Sequence, residues 1–290
     1  MLSSSCERNE NELHGSQIYS LKSMPLQKLI NALTAILVLS VQIHGQSAEH
    51  NSSQDVTRRA QRAYYNLRTH GFNGFKATIE PNWEVILAHT ATPKNLKVFR
   101  AVRFSMIAEA NGAVTVEYEI EDREKRRLES TMKQIQKNMQ GLVGGFFDTW
   151  RMFMVSSAFE TPGQIRIEEH VDSYRLSYSL QWADVVLTTT TDFVITEWKL
   201  TSPSVKRTIR PQFQKTGEGL LLTGYIGDSE PIGPGVRTTL NFSIEYSAVG
   251  GMKLPNKLRI NGMHGSEAVA AELTFTQYVL NPAPTDETTP

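Results

Sequence analysis

The longest helical pattern in the chain runs from Asp122 to Phe159, and nearly everything on either side of it reads as β-strand. Leu128, Met132, Ile135, Met139, Leu142, Phe146, Trp150 and Met154 fall at steps of three and four, so they line one helix face. A chain that is otherwise mostly antiparallel strand has one large surface on which to bury such a stripe, the apolar face of its own sheet. The first half of the pattern is heavily charged (Asp122, Arg123, Glu124, Lys125, Arg126, Arg127, Glu129) and therefore has a solvated face. The second half is apolar almost all round, with Val143, Phe147, Met152, Phe153 and Val155 joining the stripe. Gly141, Gly144 and Gly145 interrupt it, and each glycine costs a helix interior up to ~1 kcal/mol. The pattern predicts two helices divided near Gly144, the second of which, Phe146 to Val155, plugs the sheet.

Residues 101–120 give the sharpest local prediction. Val102, Phe104, Met106 and Ala108 alternate with polar positions, as do Val114, Val116, Tyr118 and Ile120, and Asn111-Gly112 marks the turn between them. A two-residue loop would split the apolar faces of the two strands. A three-residue loop, Ala110 to Gly112, pairs Ala108 with Val114, Met106 with Val116, Phe104 with Tyr118 and Val102 with Ile120, and sets Arg103 opposite Glu119. A one-residue slip inverts every side chain, so burial selects this second register, with Gly112 in the left-handed conformation that the loop needs.

After Pro162-Gly163 the pattern is β to the end. Asp172-Ser173 turns a hairpin, and Tyr174, Leu176, Tyr178, Leu180 and Trp182 form one unbroken apolar face. Strands at 185–190, 193–200, 206–214, 220–226, 236–246, 254–260 and 269–279 follow, separated by Gly, Pro, Asp and Ser turn signals. About eleven strands are too many to lie flat. The expected fold is α+β: a large curved antiparallel sheet, an incomplete β-barrel of about eleven strands, with helices packed on its concave face.

Upstream, residues 54–70 read as a first helix with Gly71 placed to cap it. A strand follows over Gly74–Glu80, and Pro81 opens a short helix reaching about Ala88, anchored by Trp83, Ile86 and Leu87. Pro93 closes that segment. Residues 1–23 are a polar prefix; Met24 is a second candidate start, which would leave the prefix untranslated. Lys28 then precedes an apolar run, Leu29 to Ile43, with small residues at its end, the pattern of a secretory signal peptide over 24–45. About 15 helical residues reach only ~23 Å, short of the ~30 Å core of a bilayer, so the run reads as cleaved rather than as an anchor. The expected mature protein is a single domain, 46–280, exported to a periplasmic or extracellular location, soluble, and followed by a disordered tail at 281–290. The one cysteine, Cys6, falls outside it, so no disulfide or thiolate site is expected there.

Chemistry is hard to find. The histidines lie on different elements with no metal-ligand spacing. Gly262-Met263-His264-Gly265-Ser266 lacks the order and context of a nucleophile elbow, and the glycines at 141–145 have no phosphate-loop Lys-Ser/Thr after them. No catalytic residue, metal or cofactor is expected, and the chain does not read as an enzyme. The 30 basic and 30 acidic residues balance, which argues against nucleic acid as a partner. What remains is apolar excess on the helix and on the sheet. A curved sheet that the helix does not fill would hold an apolar ligand, lined by Phe104, Met106, Val116, Tyr118, Phe146, Trp150, Met154, Tyr178 and Trp182. A fully packed core is the competing reading.

An exported domain that opens with a helix, enters a strand, inserts helices early and then runs a long meander resembles the periplasmic lipoprotein carrier superfamily, the LolA/LolB-like fold. Gly219-Leu220-Leu221-Leu222-Thr223-Gly224-Tyr225, and Ile244-Glu245-Tyr246 leading through Gly250-Gly251 to Leu254-Pro255, fit its late strands. The resemblance spans about residues 53–280 and rests on strand and turn patterns. It implies acyl chains or other apolar ligands held between sheet and helices, in a soluble carrier. The alternative is a structural or protein-interaction module of the cell envelope with a filled core, partnered by other envelope proteins.

Overall fold

The computed structural model describes residues 51–88, 93–110, 113–120, 122–160 and 165–281. The polar prefix, the signal-peptide segment, the Asn111-Gly112 turn, Pro162-Gly163 and the tail beyond Asn281 lie outside the described residues.

Twelve strands form one antiparallel sheet: β1 Gly74–Pro81, β2 Arg103–Glu109, β3 Val114–Glu119, β4 Arg166–Glu169, β5 Ser173–Leu180, β6 Ala183–Thr190, β7 Ile195–Thr201, β8 Val205–Thr216, β9 Gly219–Pro231, β10 Thr238–Val249, β11 Met252–His264 and β12 Glu267–Leu280. Their order is β3-β2-β1-β12-β11-β10-β9-β8-β7-β6-β5-β4. Neighbours in the chain are neighbours in the sheet except β3 and β4, which lie at its two edges, and β1 pairs with β12, bringing Phe75 opposite Leu280 and Ile79 opposite Phe275. The sheet is open, with β3 and β4 as its edges. Register shifts at Lys76/Thr78, Thr188/Thr189, Gln212/Phe213 and Glu245/Tyr246 add bulges, which bend strands and help curve the sheet.

This order explains the long helix. The chain leaves the sheet at one edge and must re-enter at the other. Twelve strands set ~4.8 Å apart span about 50 Å along the sheet, and a helix of 33 residues is about 50 Å long. The other helices are α1 (Asn51–Arg62), α2 (Trp83–Ile86), α3 (Pro93–Arg100) and a 3₁₀ turn over Leu67–His70; the crossing helix is α4 (Asp122–Met154).

The expected division of α4 at Gly144 does not occur: one helix runs unbroken through Gly141, Gly144 and Gly145. Leu142, Val143, Phe146 and Phe147 around them are all fully buried. At roughly 1.5–3 kcal/mol for each large buried side chain, that packing outweighs three glycine penalties. The first helix is shorter than its pattern. It stops because the backbone at Ala63–Tyr65 is taken up by the start of β9, with Tyr65 N–H donating to Leu220 O at 3.1 Å and Leu220 N–H to Ala63 O at 2.8 Å. Gly71, at φ 76°, caps the 3₁₀ turn instead. Pro81 ends β1 rather than opening a helix; Asn82 is the cap of α2, its side chain accepting from Val85 N–H. Pro93 starts α3 rather than closing a segment. The hairpin register is as expected, from Arg103 opposite Glu119 to Ala108 opposite Val114, though the strands end before Val102 and Ile120 can pair.

Candidate functional site on the inner face

Residues directly opposite one another in antiparallel strands point to the same face, with Cβ atoms ~4.5–5.5 Å apart. One such row crosses seven strands on the face that carries the core. Tyr178 faces Val185, Val185 faces Leu200, Leu200 faces Arg207, Arg207 faces Ser229, Ser229 faces Thr238 and Thr238 faces His264. The row is apolar over β5–β7 and turns polar at β8. In the next row Leu187, Trp198, Ile209, Gly227, Leu240 and Gly262 succeed one another with no charged side chain.

Arg207 is the unusual member. It is 8% exposed, and its Nε is buried without a hydrogen-bond partner. Burial lowers its pKa from the ordinary guanidinium value, and no neighbouring charge contributes. Ser229 and Thr238, beside it in the row, are fully buried, and Thr238 Oγ1 lies 2.8 Å from His264 Nδ1. Elsewhere arginines find carboxylates: Arg210 pairs with Asp228 at 2.6 Å, and Arg259 with Glu272 at 3.0 Å.

The row lies next to one rim of the sheet, where the turns β5–β6, β7–β8, β9–β10 and β11–β12 gather. Backbone bonds stitch these turns together: Ile232 N–H donates to Ser204 O at 2.9 Å and Gly265 N–H to Arg237 O at 2.8 Å. Trp182, Ile232 and Val236 on these turns are 42%, 47% and 44% exposed. Ile232 and Val236 share the β9–β10 turn, and Trp182 stands on the β5–β6 turn four strand spacings, about 19 Å, away along the rim.

The nine residues expected to line a cavity divide into three groups. Phe104, Met106, Val116, Phe146, Trp150 and Met154 are fully buried, and Tyr118 and Tyr178 are half-buried against the core. Burial pushes the Tyr178 phenol up to about 12. Trp182 sits in the β5–β6 turn at the rim, not on a strand face. Phe146, Phe147 and Phe275 pack ring on ring, as do Phe147 and Trp150 at 5.4 Å. Trp150 Nε1–H donates to Tyr246 Oη at 3.2 Å, and Tyr246 O–H to Leu222 O at 2.6 Å, which ties α4 to the middle of the sheet. Thr149 bonds Tyr225 there, and burial pushes the adjoining Asp148 carboxyl up to about 6, against the pull of Arg151. A cleft of about 10 Å³, room for one water, opens between Tyr64, Phe153, Phe159 and Ile195, away from all nine.

The Arg207 row was missed, although its signal was in plain view. In Val205-Lys206-Arg207-Thr208-Ile209 the two-residue period sets Arg207 on the same face as Val205 and Ile209. Among the described residues no group of three or more His, Cys, Asp or Glu is placed to hold a metal ion, and no helix is long and apolar enough to cross a membrane. No protein family, no curated protein and no solved structure matches this chain.

Proposed function

We propose that this protein is an exported, soluble binder or carrier of lipid-like molecules, which it takes up on the inner face of the sheet from the rim between β5 and β12. The observation that carries this reading is the exposure of Trp182, Ile232 and Val236 at the rim next to which the apolar rows of the inner face end. Behind that rim Leu200, Leu240 and Trp198 are packed in the core, so this reading requires them to part around an apolar chain. The apolar run at 29–43 and the resemblance to the lipoprotein carrier superfamily supply the exported setting. The chemistry asked of the protein is solvation of an acyl chain, with no bond made or broken. Native mass spectrometry of the protein purified from the cells that make it, joined to uptake of a fluorescent fatty acid, tests the reading. Co-purifying lipid and saturable uptake are expected; ligand-free protein with no uptake would sink it.

A second reading, a structural or interaction module of the cell envelope, is favoured by a different observation. The region beneath α4 is filled by interlocking rings and by the Trp150–Tyr246–Leu222 chain. The same mass measurement separates the two, because a filled module carries no lipid.

A further inference from the structure

We infer that two copies of this chain associate edge to edge through β4, which runs antiparallel to the same strand of the second copy across a two-fold axis at Ile167. This contact is independent of what the inner face carries. The two edges of the sheet are treated differently. α4 covers β3, where Gln136 and Gln140 bond to the backbone of Val114 and Val116. β4, at the other edge, pairs only with β5. His170 N–H donates to Ser173 O at 2.9 Å, so these two residues form a hydrogen-bonded pair. Such pairs alternate along an antiparallel ladder. Arg166 and Glu168 therefore bond to β5, while Ile167 and Glu169 turn their N–H and C=O groups to the open edge. Backbone groups presented in this way are a template for another strand.

What the edge presents is complementary to itself. Arg166 and Glu168 share the outer face, where they pair at 3.0 Å. Ile167 between them is half-buried on the inner face, opposite the buried Leu176. With the axis at Ile167, the two Ile167 residues exchange both backbone bonds and set their side chains together. Arg166 of each copy then stands opposite Glu168 of the other, in the closer, non-hydrogen-bonded kind of pair. The two-fold makes that contact twice and closes the assembly at two copies. Moving the axis by one residue sets Glu168 against Glu168 or Arg166 against Arg166, and like charges directly opposite are destabilising. Pairings slipped by a single residue bring the inner face of one copy to the outer face of the other. Charge and burial together select one register.

Sedimentation velocity on the purified full chain should show a concentration-dependent dimer that salt weakens. Arg166→Glu and Glu168→Arg should each weaken it about tenfold or more, since each sets like charges opposite one another twice. Mixed in equal amounts, the two variants should restore it, because the acidic pair on one chain then meets the basic pair on the other. Hydrogen exchange reads the same edge without a substitution: the amides of Ile167 and Glu169 should become protected as the native concentration rises. A native chain that stays monomeric up to about 1 mM, the weak end of specific association, overturns the pairing. So does a dimer that persists undiminished in both variants, or a mixture no more associated than its parts. Protection of those amides in a monomeric chain would put another segment of the same chain on the edge, and overturns it as well.

Discussion

The side-chain amide of Gln140 stands beside Val116 where the peptide of a neighbouring strand would stand. Val116 N–H donates to Gln140 Oε1 at 2.6 Å, and Gln140 Nε2–H donates to Val114 O at 2.6 Å. One turn earlier, Gln136 Nε2–H donates to Val116 O at 2.9 Å. An open sheet edge is a template for pairing with other chains, and α4 closes this one with two amides at helical spacing. Gln140→Ala should lower stability by ~1–3 kcal/mol, the cost of leaving backbone groups unsatisfied. It should also promote self-association through β3. Denaturant unfolding and sedimentation velocity check the two parts separately; a variant as stable and as monomeric as the native chain would remove the capping role.

Trp150 measures how tightly α4 is seated. It is 2% exposed, meets Phe72 and Phe147 edge to face, and holds Tyr246 through its indole N–H. Trp150→Ala should cost ~3–5 kcal/mol. Trp150→Phe keeps most of the packing and loses the hydrogen bond, so it should cost nearer ~1 kcal/mol. Much smaller losses in urea titrations would mean that the ring lines open space.

Asp148 gives the fold a pH dependence of known sign. Its folded pKa is raised from 3.8 to about 6 because burial disfavours the carboxylate. The folded state therefore holds the proton more tightly than the unfolded chain, and this contribution is present below pH ~4 and lost as pH rises through about 6. Glu272 and Asp228, whose pKa values are lowered in the fold, work in the opposite direction, so the native curve alone does not isolate Asp148. Asp148→Asn should gain stability relative to native as pH rises from 4 to 7. Parallel unfolding curves across that range would contradict the assignment.

Gly219 tests the joint between the first helix and the sheet. It has φ 118°, and a Cβ there would stand 2.7 Å from Tyr64 C and Tyr65 N. Gly219→Val should cost about 2 kcal/mol or more, through strain and loss of the backbone pairing. A midpoint within error of native in the same titrations would show that the joint is slack.

Much of the architecture was legible in the residues, because it depends on local periods. The alternation in 103–119 fixed its own register, since only one pairing buries Phe104, Met106 and Val116 together. The strand run after residue 165 was readable for the same reason. Long-range competition was not legible. Nothing near Gly144 announces that its neighbours pack well enough to keep α4 whole. Nothing in Ala63–Tyr65 announces that β9 will capture its backbone, and the pairing of β1 with β12 lies outside any local pattern. The candidate site divides likewise. Apolar residues were counted as lining because they are apolar, and six of the nine proved to be core. The more informative residue was Arg207, a charge on an apolar face, where burial makes an exception costly.

The central claim is that an amphiphile lies on the inner face behind the β5–β12 rim. Photolabelling the native chain with a diazirine-bearing palmitate, followed by peptide mapping, tests it most directly. The account predicts label on inner-face residues of β7–β10, among them Leu200, Ile209 and Leu240, and competition by unlabelled palmitate. Label confined to outward-facing positions such as Met263 or Val279, or label that unlabelled palmitate does not displace, would contradict it.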